Sequence, residues 1–228
     1  MSDLVHVSVS GDVATLTIDD GKVNALSPAV LAATHQAFDE AARSKVVILT
    51  GRHGIFSAGF DLSVLRAGGG EAVDLLESGF RLAEKIVNSP VPVIAAVGGH
   101  AMAMGTFLVL STDYRIGPFG HYKIAVNEVS IGMTVPLGTL EICRRRLTPS
   151  ALHRAVTLSH VFENTEALAA GFFDELVSVD AVVARAHEVA TTLAALDGNA
   201  YRSTKDRLDA TSRDAIKAGI SQDIAALR

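Results

Sequence analysis

VPVIAAVGGHAMAMGTFLVL, residues 91 to 110, holds no Asp, Glu, Lys or Arg, and His100 is its only ionisable side chain. Its length alone would pass for a membrane span, which takes about 20 apolar residues in a helix. Its content argues otherwise. VPVIAAV is rich in β-branched residues, is broken by Pro92 and runs into GGH. That pattern predicts a buried strand, a glycine turn and a helix opening near Met104. An unbroken apolar run is what a strand covered on both faces needs, because neither face meets water. The stretch is expected to be internal, not transmembrane.

Outward from this stretch, strand and helix alternate over the first two-thirds of the chain. LVHVSVSGDVATLTID reads as two short strands joined at SGD, a hairpin. PAVLAATHQAFDEAARS reads as a helix with Ser27 as N-cap and Pro28 as its first residue. Leu31, Thr34, His35 and Phe38 share one face of it, so His35 is a packed or half-exposed helix residue. KVVILTG is a buried strand ending in a glycine turn. GIFSAGFDLSVLRAGGG is expected to be a loop and then a short helix, with AGGG (67 to 70) as a mobile loop over a site. EAVDLLESGFRLAEKIVNS is a long amphipathic helix. DYRIG and YKIAV are two further short strands. From Thr139 onward the chain reads as mostly helical, with one weak strand at ELVSV.

The composition limits the function. The chain has 228 residues, 49% of them hydrophobic and 20% charged, which fits one globular domain with a modest appendage. A net charge of −5 argues against a nucleic-acid binder, which carries a basic face. The first residues, with Asp3, show no basic segment leading into an apolar run, so no signal peptide is expected. One cysteine excludes an internal disulfide framework and fits a reducing, cytoplasmic compartment. That residue, Cys143, stands beside three arginines that would lower its pKa, though a buried, inert thiol is the plainer expectation. No CxxC or HExxH occurs, so no metal site is expected. No GxGxxG, P-loop or GxSxG occurs either.

Three features remain. FSAGFDL follows the strand KVVILTG, and GGHAMAMG follows VPVIAAV. Such strand-to-helix turns can present free backbone N–H groups where the helix dipole favours negative charge, and two together would make an oxyanion hole. Each is also readable as an ordinary strand-to-helix turn, the plainer reading of the residues alone. The third is AVNEVSIGMTVP. Glu128 lies between two apolar runs, where burial would raise its pKa and make it a candidate general base. The alternative is a loop glutamate facing water.

In this order and spacing the pieces resemble the crotonase (enoyl-CoA hydratase/isomerase) superfamily. The resemblance runs from HVSVSGDVATLTID to about AGFFDELVSV and is weaker in the C-terminal helices. It implies an α/β fold: a ββα spiral with two roughly perpendicular sheets and a C-terminal helical region. It places a spiral core with the acyl-CoA site over 1–175 and a helical oligomerisation region over 176–228. It implies backbone donors at Phe60 and Met104 for a thioester oxygen, with Glu128 as the catalytic carboxylate. Lys22, Val23 and Ala25 in KVNALS would lie beside coenzyme A. Ser57, Ala58, Gly59, Asp61 and Leu62 would line its path, and Ala103, Gly105 and Phe107 would build the second half of the hole. Lys22 and Lys205 would be phosphate partners, the latter from a neighbouring subunit, unless both are solvated surface lysines. No tightly bound cofactor is implied, only coenzyme A as part of the substrate. The expected partner is the chain itself, as a trimer or pair of trimers.

The departures are informative. Hydratases of this family carry two glutamates, and the earlier one falls on Phe107. The pattern is similar to Δ3,Δ2-enoyl-CoA isomerases, which keep only the later one. Isomerisation is therefore the first expectation, enoyl-CoA hydration the second, and acyl-CoA binding without turnover the third. Ala103 and Met104 also stand where the family often has glycine, so the methionine is expected to narrow the acyl pocket or displace the N–H.

Overall fold

The computed structural model describes residues 4–228, which leaves Asp3 and the first residues of the expected core outside them. Strands β1 (Val5–Ser10) and β2 (Val13–Ile18) form the antiparallel hairpin, turning through Gly11 at φ +58°. A two-residue strand β3 (Ala25–Leu26) leads into α1 (Pro28–Ala41). Ser27 Oγ caps that helix by accepting from the Val30 N–H at 3.2 Å. His35 is half-buried, with Nε2 3.0 Å from the Ser78 carbonyl oxygen.

The chain then makes three turns of one pattern. β4 (Val46–Thr50), β5 (Gly54–Ser57) and β6 (Gly59–Phe60) precede α2 (Leu62–Ala67) and α3 (Gly69–Val87). β7 (Val93–Ala96) and β8 (Gly99–Met102) precede α4 (Met104–Ser111). β9 (Tyr114–Pro118) and β10 (Lys123–Ala125) precede α5 (Leu137–Arg146). Each turn gives one strand to each main sheet. The larger sheet has six strands in the order β1-β2-β4-β7-β9-β12, parallel except at the hairpin. The smaller has four, in the order β11-β10-β8-β5. After α5 come α6 (Pro149–Leu158), β11 (Phe162–Glu163), α7 (Asn164–Ala170), β12 (Glu175–Val177), α8 (Val182–Ala194) and α9 (Gly198–Leu227).

The apolar stretch at 91 to 110 is β7, β8 and α4. Alternate residues of β7 serve two cores: Val93 and Ala95 face one, Ile94 and Ala96 the other. The second core is closed by Val182, Ala186 and Ala190 of α8. Coverage on both faces is the physical reason the run lacks polar residues. Among the described residues no helix is long and apolar enough to cross a membrane.

Three local expectations change. GGH is not merely a turn: Gly99 starts β8, because a Cβ there would lie 1.9 Å from the Gly54 carbonyl carbon. Only a glycine lets β5 and β8 approach so closely. GIFS is a strand, not loop. AGGG is the junction of two helices rather than a loop, turned by Gly68 and Gly69 at φ +70° and +71°.

The C-terminal helices share the main core. Ile216, Ile220 and Ile224 of α9 are buried, and Gly138 of α5 meets Ile220 so closely that a Cβ would fall 2.4 Å from its Cγ1. Cys143 of α5 is fully buried, and burial, with the charge of Glu128, pushes its thiol up, outweighing Arg144. An aromatic disulfide reagent is therefore expected to leave Cys143 unmodified in the native protein and to label it fully in denaturant, read by absorbance.

Candidate active site

Asn24 and Ser57 build the first wall. Asn24 is fully buried at φ +52°, and its side-chain amide donates to the carbonyls of Ile18 (2.8 Å) and Phe56 (3.1 Å). Ser57 Oγ donates to the Asn24 carbonyl at 2.7 Å and accepts from the Gly59 N–H at 3.1 Å. These bonds tie the early loop to FSAGF. β3 then pairs in parallel with β6, Ala25 opposite Gly59 and Leu26 opposite Phe60. The Ala58 N–H donates to the Val23 carbonyl at 3.0 Å.

The second wall is the start of α4. Ala103 sits at φ +48°, ψ −123°, a region that strains any residue with a Cβ by about 1–3 kcal/mol. That turn directs Met104 into the first helical position, where its N–H has no intrahelical acceptor. The two walls touch. A Cβ built on Gly59 would lie 2.9 Å from Ala103 Cβ and 3.3 Å from the Met104 nitrogen. A Cβ on Gly105 would lie 2.7 Å from the Ser57 carbonyl oxygen. Both glycines are spaces the other turn occupies. The Met104 side chain is fully buried in the main core and does not line the cavity beside the two turns, so it neither narrows the pocket nor blocks the helix start.

That cavity has a volume of about 100 Å³. Ala58, Phe60 and Leu62 line it from the first wall, Ala103 and Phe107 from the second. Glu128 closes it from the loop after β10. Its backbone is fixed by its carbonyl, which accepts from Ile131 (3.1 Å) and Met133 (2.9 Å). The side chain is 6% exposed, and Oε2 has no hydrogen-bond partner. Burial raises the carboxyl from an ordinary 4.5 to about 7. The solvent-facing alternative for Glu128 is thereby excluded.

The structure separates other expected residues from the pocket. Lys22 is exposed on the outer loop. Val23 and Ala25 contribute backbone to the first wall rather than side chains to the cavity. Asp61 caps α2, accepting from Ser63 N (2.8 Å) and Oγ (2.6 Å), which holds its carboxyl below its usual range. Lys205 is the clear correction. It is 5% exposed, with Nζ 2.8 Å from Asp113 Oδ1 and 2.9 Å from Oδ2. A buried lysine committed to a carboxylate of its own chain is not a free phosphate partner.

Sequence reading missed part of the lining. Leu76 and Phe80, four apart on α3, look like ordinary core positions of an amphipathic helix. Asn127 brings the pocket's second polar side chain, and its Oδ1 is buried without a partner. Its position directly before Glu128 was the available signal.

The comparisons with known proteins agree with this geometry. An enoyl-CoA hydratase from Mycobacterium marinum is 40% identical, with a TM-score of 0.94 over 98% of both chains. A Mycobacterium tuberculosis chain described as an enoyl-CoA isomerase is 44% identical, with a TM-score of 0.94 over 99% of both chains. The carnitinyl-CoA dehydratase of Salmonella typhi is 27% identical over 96% of this chain and 85% of its own. The human mitochondrial Δ3,Δ2-enoyl-CoA isomerase, 24% identical with a TM-score of 0.89 over 99% of this chain and 92% of its own, shares the fold. The described match of one family extends over residues 8–228, through both turns and Glu128, and on that basis this chain belongs to the enoyl-CoA hydratase/isomerase family.

Proposed function

We propose that the protein isomerises 3-enoyl-CoA thioesters to 2-enoyl-CoA with Glu128 as its single acid–base group. The observation that carries this reading is the lining of the cavity. Glu128 is its one ionisable side chain among the described residues, and Phe107, which falls where the resemblance to two-glutamate hydratases would put the second carboxylate, lines it as an apolar ring. Shifting a double bond needs one base; adding water needs one group for the water and another for the α-proton.

In the proposed reaction the Glu128 carboxylate removes a proton from C2. The electron pair moves through the former C3=C4 bond system to give a dienolate, its negative charge on the thioester oxygen. The N–H groups of Phe60 and Met104 receive that oxygen, and each such donor is worth about 3 kcal/mol in the transition state. Protonated Glu128 then delivers the proton to C4, leaving the double bond at C2=C3 and the carboxylate restored. Phe107, 1% exposed, keeps the wall dry. Coenzyme A enters as part of the substrate, passing the exposed edge at Ala58 and Leu62, with Lys22 as the available cation. No tightly bound cofactor takes part in this scheme.

Hydration is the second reading, favoured by one observation: the Asn127 amide beside Glu128 is a group that can hold a water. Parallel assays of the protein and Glu128→Gln with 3-enoyl- and 2-enoyl-CoA decide between them. Isomerisation lost in the variant supports the first; 3-hydroxyacyl-CoA formed by the wild type supports the second. Tight CoA-ester binding with silence on both panels leaves the binding-protein reading.

The base must be ionised to act. Because burial holds Glu128 near 7, kcat/KM for isomerisation is expected to rise with pH through about 7 and to level above it. A pH–rate profile flat from 5 to 8 contradicts this assignment.

The proposal extends to assembly as a trimer or pair of trimers through the region 176–228, with 1–175 carrying the site, in the cytoplasm. Leu208, 80% exposed on α9, is an apolar residue such an assembly would cover.

A further inference from the structure

The end wall of the cavity is built without slack. Phe60 lies edge-on to Phe80, ring centroids 6.0 Å apart at 74°. The Phe60 ring rests on the bare backbone of Gly79: a Cβ there would fall 2.3 Å from its Cε1 and 2.4 Å from its Cζ. Helix α3 therefore stops the ring from retreating. Phe80 is 2% and Phe107 1% exposed, and the packed core behind them leaves neither ring another place to go. Leu76 and Leu65 complete the apolar wall.

We propose that this wall restricts the enzyme to short acyl groups. The inference rests on the acyl-CoA reading above. With the thioester carbonyl at the two turns, the cavity receives the carbons beyond it. The space beyond it is small, about 100 Å³. It is well below the roughly 300–1,000 Å³ of pockets that enclose larger ligands. In this account Phe60 has two parts: its backbone faces the thioester oxygen, and its ring, seated over Gly79, sets the length limit.

Binding separates this inference from the choice of reaction. Kd is measured by calorimetry for butyryl-, hexanoyl-, octanoyl- and dodecanoyl-CoA, all saturated and unable to turn over, with free coenzyme A as the reference. In an open apolar channel affinity rises with each methylene. Here it is expected to rise to hexanoyl-CoA and then fall, with dodecanoyl-CoA at least tenfold weaker than hexanoyl-CoA. Leu76→Ala opens the wall, and its ratio of octanoyl- to butyryl-CoA affinity should rise at least tenfold. The ratio is an internal control, since partial loss of folded protein lowers both affinities alike. Dodecanoyl-CoA bound as tightly as hexanoyl-CoA by the wild type overturns the length limit and leaves the acyl-CoA reading intact. If no acyl group adds affinity over free coenzyme A, the reading of the pocket itself is overturned.

Discussion

Glu128→Gln is expected to abolish isomerisation while making the protein more stable. The carboxamide keeps the shape of the side chain but cannot take a proton from C2. General acid–base catalysis by one positioned group is worth about 100- to 10,000-fold, and a fall of that size in kcat is expected at pH 8, measured by the spectral change on conjugation. The stability effect follows from the same burial. The folded pKa of about 7 lies above the ordinary 4.5 of an unfolded glutamate. Between those values the native state binds more protons than the unfolded state, so stability falls as pH rises through that window. Above it the ionised, unpartnered carboxylate is a burden of about 1–3 kcal/mol, which glutamine removes. Urea unfolding at pH 8 should show the variant more stable by that amount, and the gain should vanish below pH 4. A variant no more stable than the wild type at pH 8 would mean that Glu128 is solvated in the native state.

The second large effect lies away from the pocket. Lys205→Met is expected to destabilise the protein by about 3 kcal/mol. Asp113 is the centre of a partly buried cluster that ties α9 to the larger sheet. It accepts from Lys205, from Tyr201 Oη at 2.9 Å and from the Val93 N–H at 3.0 Å. Burial lowers the Lys205 pKa and Asp113 opposes that shift, so the lysine's charge depends on its partner. Removing one member of a buried pair costs about 3–5 kcal/mol because the other charge is left behind. The remaining donors to Asp113 place this case at the lower end. Lys205→Met with Asp113→Asn should recover part of the loss, a coupling visible in a double-mutant cycle of urea midpoints. If Lys205 served coenzyme A instead, its replacement would raise KM at unchanged stability.

The legible parts of this fold were those whose physics is local or periodic. The apolar run at 91 to 110 announced a strand buried on both sides, and Val93, Ile94, Ala95 and Ala96 serve two cores as that requires. Ser27 and Pro28 marked the start of α1 because capping needs only three neighbouring residues. Glu128 was legible as a carboxylate set in apolar sequence. The strands β5, β8 and β11 were not. They are two to four residues long, and what makes them strands is pairing with partners more than 20 residues away. Glycines conceal such contacts, since Gly99 and Gly59 read as turns whether or not another backbone fills the space of the missing Cβ. Lys205 was misread for a related reason. A lysine on a polar helix looks solvated until the fold brings an aspartate 92 positions earlier beneath it.

In the proposed isomerisation one carboxylate carries one proton from C2 to C4. The direct test uses 3-hexenoyl-CoA deuterated at C2, incubated with the protein in ordinary water, with the products analysed by mass spectrometry at low conversion. The expected product is 2-hexenoyl-CoA in which a fraction of the deuterium has moved to C4, a transfer that Glu128→Gln abolishes. Accumulation of 3-hydroxyhexanoyl-CoA, or isomerisation that survives in Glu128→Gln, would contradict it.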